Sequence, residues 1–237
     1  MATAAGVDTR DQLFWQKMAL GIALFIVFGF VQFSARGFVD VAKVPAHIHL
    51  HGVVMLCWLS LTVVQPWLVG RDNLALHRRL GWLGLALAAA VAVLGSYSGI
   101  YATITRHQPP FFTPPYFLAL TQVGIVAFAG LIAAAVIQRR RTDWHRRLML
   151  GALILIMEPA LGRILPMPLI MPWGEWLALA FQLATLGIVA RHDLKTLGAV
   201  HPATIAAGLV ITLTHVAVEL LAITPAWAAL TARVAGI

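Results

Sequence analysis

About seven apolar runs divide this chain, each close to the ~20 residues that cross ~30 Å of hydrocarbon. They fall at about 16–34, 46–69, 80–104, 114–137, 148–165, 174–190 and 203–222. In lipid a backbone must satisfy its own N–H and C=O groups, so runs of this length fold as helices. The expected fold is all-α, a polytopic membrane bundle of about seven transmembrane helices. Breakers crowd the connectors: Pro45, Pro109, Pro110, Pro114, Pro115, Pro166, Pro168, Pro172 and Pro202. Proline restricts its own φ and the residue before it, so these mark turns and helix starts.

The 237 residues are 60% hydrophobic and 11% charged, against roughly 25% charged in soluble domains. That is too few charges to cover a water-facing surface, and residues 1–237 read as one transmembrane domain. The net charge of +8 suits topology signals better than a nucleic-acid partner, which is not expected. Met1–Lys17 is mixed polar, and no small-residue cleavage site follows the first apolar run, so that run reads as a span rather than a leader. The single Cys57 lies inside an expected helix and forms no intramolecular disulfide.

Lysine and arginine counts orient the bundle. With the N-terminus inside, Arg10, Lys17, Arg71, Arg78, Arg79, Arg139, Arg140, Arg141, Arg146, Arg147, Arg191 and Lys195 lie on the inner side. Only Arg36, Lys43, Arg106, Arg163 and Arg233 lie outside. The positive-inside rule therefore predicts a cytoplasmic N-terminus and a periplasmic C-terminus in a bacterial inner membrane. A short motif recurs at two inner helix starts, as His77-Arg78-Arg79-Leu80 and His145-Arg146-Arg147-Leu148. The recurrence suggests duplicated hairpins within 46–104 and 114–165.

Every Asp (8, 11, 40, 72, 143, 193) is expected in a tail or loop, whereas Glu158, Glu175 and Glu219 fall within or beside spans in the outer half. A carboxylate inside a span costs about 2.5–3.5 kcal/mol on insertion scales, so it faces the bundle and finds a partner. Arg163 is the nearest cation to Glu158 in sequence. Histidines share that outer half. His47 and His51 stand one turn apart on one face at the start of the second span, with His49 pointing elsewhere, and His215 and Glu219 repeat the spacing in the last span. At 1.5 Å per residue, His51 lies roughly 7–8 Å and His215 roughly 10 Å below the outer ends of their helices. His51, His215 and Glu158 are thus expected in one outer layer, with His47, Glu219 and Glu175 in a second above it; His47, His51 and His215 are candidate metal ligands, and Glu158 and Glu219 candidate catalytic carboxylates. Imidazole with carboxylate suits zinc, iron or copper without choosing among them.

At the inner end, His77 and His145 share a depth, where two imidazoles on facing helices can hold a b-type haem. Arg78 and Arg146 are candidates for its propionates, for quinone oxygens or for lipid phosphates. Cations at a helix N-terminus oppose the macrodipole, so their repetition suggests that an anion binds there. His107, His192 and His201 read as solvated loop residues, and most tryptophans as interfacial.

The run Ala46–Gly84, with its His-Ile-His-Leu-His-Gly start and Leu-His-Arg-Arg-Leu-Gly restart, resembles a bacterial group of small integral membrane proteins of unknown function. More distantly, histidines at helix ends followed by Arg and Gly resemble b-type membrane cytochromes and haem A synthase-like bundles. That resemblance implies haem ligation and transmembrane electron transfer, with His77 and His145 as the matching positions. The fourth span contains no His, a departure from a four-ligand, two-haem pattern. The last span lacks the lysine a retinal protein needs. Seven-helix zinc hydrolases related to adiponectin receptors share the expected topology, but carry a His where this chain has Glu219.

The sequence thus leads to a membrane-integral haem- or metal-binding protein with a redox role. The alternatives are a metal-dependent membrane hydrolase, with Glu158 or Glu219 as general base, and a carrier of protons, metal ions or a small solute. Partners would be membrane lipid, a quinone or other lipophilic molecule, and a second copy or a larger membrane complex.

Overall fold

The computed structural model describes residues 9–236. Its helices are α1 (Thr9–Ala35), α2 (Ala46–Gly70), α3 (Leu74–Thr105), α4 (Pro114–Ile137), α5 (Thr142–Leu155), α6 (Glu158–Ile164), α7 (Met167–Ile170), α8 (Gly174–Leu197), α9 (Pro202–Ala222) and α10 (Pro225–Ala235). A 3-10 turn, Val41–Lys43, separates α1 from α2. No strand occurs among the described residues, and six helices (α1, α2, α3, α4, α8 and α9) are long and apolar enough to cross a membrane. The expected all-α membrane bundle is what the chain forms.

Helix starts follow local chemistry. Asn73 accepts from Leu76 N (3.2 Å) to cap α3, and Thr113 from Tyr116 N (3.4 Å) to cap α4. Proline opens α4, α9 and α10, where its missing N–H would have no partner anyway. Pro66 instead lies inside α2. Its carbonyl accepts from two α1 side chains, Gln12 (2.5 Å) and Gln16 (3.3 Å). A side chain at Gly70 would collide with that Gln16 amide, since a Cβ there would stand 2.5 Å from it.

Packing closes a ring in the order α1, α2, α3, α4, α9, α8, α6 and back to α1, with α5 in contact with α1, α4, α8 and α9. Within α5 every residue from Leu150 to Leu155 is buried, as are Arg147 and Leu148. Gly151 lets α9 approach so closely that a Cβ would stand 2.7 Å from that of Ala207. Outward, apolar side chains such as Val126 (72% exposed) and Ile137 (74%) form a surface suited to lipid.

The expected fifth span, 148–165, is broken. Pro159 has no N–H for the carbonyl of Leu155, and the helix stops there and restarts at Glu158. Gln182 of α8 supplies the missing donor, giving its Nε2 to Leu155 O at 2.8 Å. The broken pair still runs the length of α1: Arg146 meets Asp11 near one end, and Gln32 donates to Arg163 O (2.9 Å) near the other.

The placement of the aspartates is also corrected. Asp11 lies in α1, Asp143 in the first turn of α5, and Asp193 in α8 with no exposed surface. Asp8 lies outside the described residues. His192 and His201 are not solvated loop residues either: His192 stacks on Phe14 (3.7 Å between ring centres), and His201 caps α9. Trp58, fully buried against Phe128, is a core residue rather than an interfacial one.

Candidate functional site

Two polar centres lie at opposite ends of the bundle. At the arginine-rich end, His77 opens α3 and His145 opens α5, one on each side of α4. Their rings are 6.5 Å apart between centres and nearly perpendicular, at 88°. His145 Nδ1 donates to Ala135 O (2.8 Å), a carbonyl in the last turn of α4 that has no intrahelical donor. The proton therefore sits on Nδ1, and Nε2 keeps its lone pair. His77 Nδ1 faces the Gln65 amide of α2 at 2.5 Å. With its nitrogen towards the ring, Gln65 donates to Nδ1 and its oxygen accepts from Gly81 N (3.1 Å). In that orientation Nδ1 accepts and a neutral ring keeps its proton on Nε2; the reverse orientation would free the Nε2 lone pair, but it sets the Gln65 oxygen against His77 O and its nitrogen against Gly81 N. His145, which donates from its far nitrogen to a carbonyl, is held as ligating histidines are.

The arginines beside these histidines differ. Arg78 and Arg79 are exposed, with no side-chain partner among the described residues. Arg146 binds Asp11 (2.5 Å) and stacks over Trp15 at 4.5 Å, so it is committed to α1. Arg147 is buried and binds Asp193 Oδ1 through Nε (3.0 Å) and a terminal nitrogen (2.5 Å). The other Asp193 oxygen accepts from Thr204 Oγ1 (2.6 Å) and His201 N (3.1 Å). The anion expected at this second helix start is thus the protein's own carboxylate. Beside it, an open apolar groove of about 430 Å³ lies between α4, α5 and α9, lined by Gly130, Ala134, Gln138, Trp144, Leu148 and Val210.

At the other end stand Glu158, Glu175, His215 and Glu219. Glu175 and His215 are each 2% exposed, and Nδ1 lies 2.6 Å from Glu175 Oε1. That approach is too bent for a hydrogen bond, so neither Glu175 oxygen nor Nδ1 has a hydrogen-bond partner. On the other side of the ring, Nε2 meets Gln182 Oε1 at 2.7 Å. Tyr116 of α4 is a neighbour common to Glu175 and Glu219, and Glu158 is in turn near Glu175. No salt bridge joins Glu158 to Arg163, its nearest cation in sequence: Arg163 donates to Pro159 O (2.7 Å) and stacks over Phe30 at 4.1 Å.

His47 and His51 share one face of α2, as their spacing predicts, but that face looks onto α3. His47 packs edge-on to Tyr97 and Tyr101, and His51 lies beside Gly95. The structure does not bring them to His215, because α2 and α9 are not packed together. Among the described residues no three His, Cys, Asp or Glu side chains converge closely enough to hold a metal ion. His107 is exposed, as expected.

Sequence reasoning missed Gln65, Tyr116, Gln182 and Asp193. A signal existed for two of them. Gln65 and Gln182 are uncharged polar residues deep in apolar helices, where a polar side chain needs a partner. Comparison of the chain with family models, with curated proteins and with solved structures gives no match.

Proposed function

We propose that this chain is a multi-pass protein of the bacterial inner membrane that holds one haem b between His77 and His145 and passes single electrons through it. The observation that carries this reading is the pair itself: two imidazoles from different helices, 6.5 Å apart, each with a protein group facing its Nδ1. With metal–nitrogen bonds of about 2.0–2.1 Å, two rings on one metal have centres about 6 Å apart. Two imidazoles without a third protein ligand suit haem, which brings its own equatorial nitrogens. Bound there, the iron would cycle between its ferric and ferrous states. The chain's own part is to hold the two rings, and to offer Arg78 and Arg79 to the propionates. Arg146 has no such role in this reading, because Asp11 holds it.

The topology belongs to the same proposal. The N-terminus is cytoplasmic, the basic end with His77 and His145 faces the cytoplasm, and α5 with α6 makes the seventh crossing as a broken helix. Supporting it are the contacts of that pair with both ends of α1 and the concentration of Lys and Arg at one end. A quinone is the fitting class of electron partner, since the groove beside Trp144, next to His145 in α5, suits an isoprenoid tail.

The test is an optical spectrum of protein purified from haem-supplied membranes. A Soret band lost in both His77→Ala and His145→Ala is the expected result. A colourless wild-type protein that takes up no added haem would overturn the reading.

A further inference from the structure

The buried centre at the glutamate end has a hydrogen-bond logic that starts from one proline. Pro159 cannot donate to Leu155 O, and Gln182 Nε2 does so instead at 2.8 Å. That bond fixes which way the Gln182 amide points. Its oxygen therefore faces His215 Nε2, at 2.7 Å, and can only accept, so the Nε2 position carries a proton. A neutral His215 would then present only a lone pair at Nδ1. Yet Nδ1 stands 2.6 Å from Glu175 Oε1, which also has only lone pairs when ionised. Both side chains are 2% exposed, neither Glu175 oxygen nor Nδ1 makes a hydrogen bond of good geometry, and the neighbouring donor is the uncharged Tyr116 hydroxyl. Two acceptors pressed together away from water are costly unless something positive lies between them.

We propose that Glu175 and His215 form a proton-binding site, in which a second ring proton makes His215 the cation beside the Glu175 carboxylate, and that this proton exchanges with the glutamate end of the bundle through Tyr116 and Glu219. The titratable groups that neighbour the site come from three elements. From α4 comes the Tyr116 hydroxyl, from α9 Glu219, and from α6 Glu158 and Arg163. Arg163 is turned to Pro159 O and Phe30, so it does not supply the missing charge. The transfer is a proton relay with no change of oxidation state. The proton leaves the dyad for the Tyr116 oxygen as the Tyr116 proton passes to the Glu219 carboxylate, and Glu219, half-buried, gives it to water. The site does not depend on the haem reading, and its test makes no use of haem.

The experiment is 15N NMR of histidine-labelled full-length protein in lipid bilayers at neutral pH, with the His215 signals assigned by their loss in His215→Asn. The site predicts both His215 nitrogens protonated in the wild type. In Glu175→Gln the ring should become neutral with its proton on Nε2, where Gln182 still accepts it. Tyr116→Phe should leave the protonation unchanged but slow exchange of the Nδ1 proton with water about tenfold or more. A wild-type His215 that is neutral overturns the site, and that measurement decides even if Glu175→Gln fails to accumulate. Unchanged exchange in Tyr116→Phe overturns the path.

Discussion

The tripeptide His-Arg-Arg occurs at two helix starts, 77–79 and 145–147, and the two copies live in different surroundings. In the first, both arginines are exposed and unpartnered among the described residues. In the second, Arg146 is tied to Asp11 of α1, and Arg147 is sealed against Asp193 of α8 with 1% of its side chain exposed. The two histidines meet, with ring centres 6.5 Å apart, although His145 is held by a carbonyl of α4 and His77 by the Gln65 amide of α2. The difference comes from position in the bundle. α3 lies on the ring, so its basic residues reach the surface, whereas α5 is enclosed by α1, α4, α8 and α9, so its arginines need carboxylates. One motif thus serves as a surface charge in one place and an internal clasp in the other.

The comparison is broken most directly at Arg147. Arg147→Met leaves Asp193 buried with its remaining donors only, and should destabilise the protein by about 3–5 kcal/mol. The equivalent change Arg78→Met should stay within about 0.5 kcal/mol. Thermal melting in detergent micelles checks both, and equal losses would refute the distinction. Next comes the anchoring of the two histidines. His145 is held by a backbone carbonyl that no substitution removes, but His77 is held by the Gln65 side chain, whose oxygen must turn to Nδ1–H for Nε2 to ligate. Gln65→Leu should therefore weaken haem binding about 10–100-fold, read by haem titration of the purified protein, with the fold unchanged by circular dichroism.

A smaller effect is expected at Asp11, whose pair with Arg146 is partly solvated. Asp11→Asn should cost about 1 kcal/mol and leave the melting transition single. Smallest of all is the double change Arg78→Gln with Arg79→Gln. It should leave stability within about 0.5 kcal/mol while reducing haem affinity, a split that binding and melting measurements on one sample would reveal.

Much of the bundle was legible because lipid allows so few solutions: a run of apolar residues such as 114–137 has to be a helix, and it is one, at Pro114–Ile137. The end of α8 was not legible. Arg191, His192, Asp193 and Lys195 look like a polar loop, and only the presence of Arg147 on a neighbouring helix makes burial of Asp193 tolerable. Pro159 lies inside the expected span 148–165, and nothing in the sequence shows that Gln182 takes over its lost hydrogen bond and in doing so orients His215. The matching depths of His51 and His215 were real features of sequence spacing. Depth alone says nothing of azimuth, and the two residues face different neighbours.

The central claim is that the two copies of the motif share one iron through His77 and His145. Low-temperature electron paramagnetic resonance of the oxidised, haem-loaded protein tests it, because the ring planes stand at 88° to one another. Perpendicular axial imidazoles give a low-spin ferric signal of high anisotropy with a large maximum g value, and that is the predicted spectrum, absent in either His→Ala variant. A high-spin signal, or a low-spin signal that survives both substitutions, would contradict the claim.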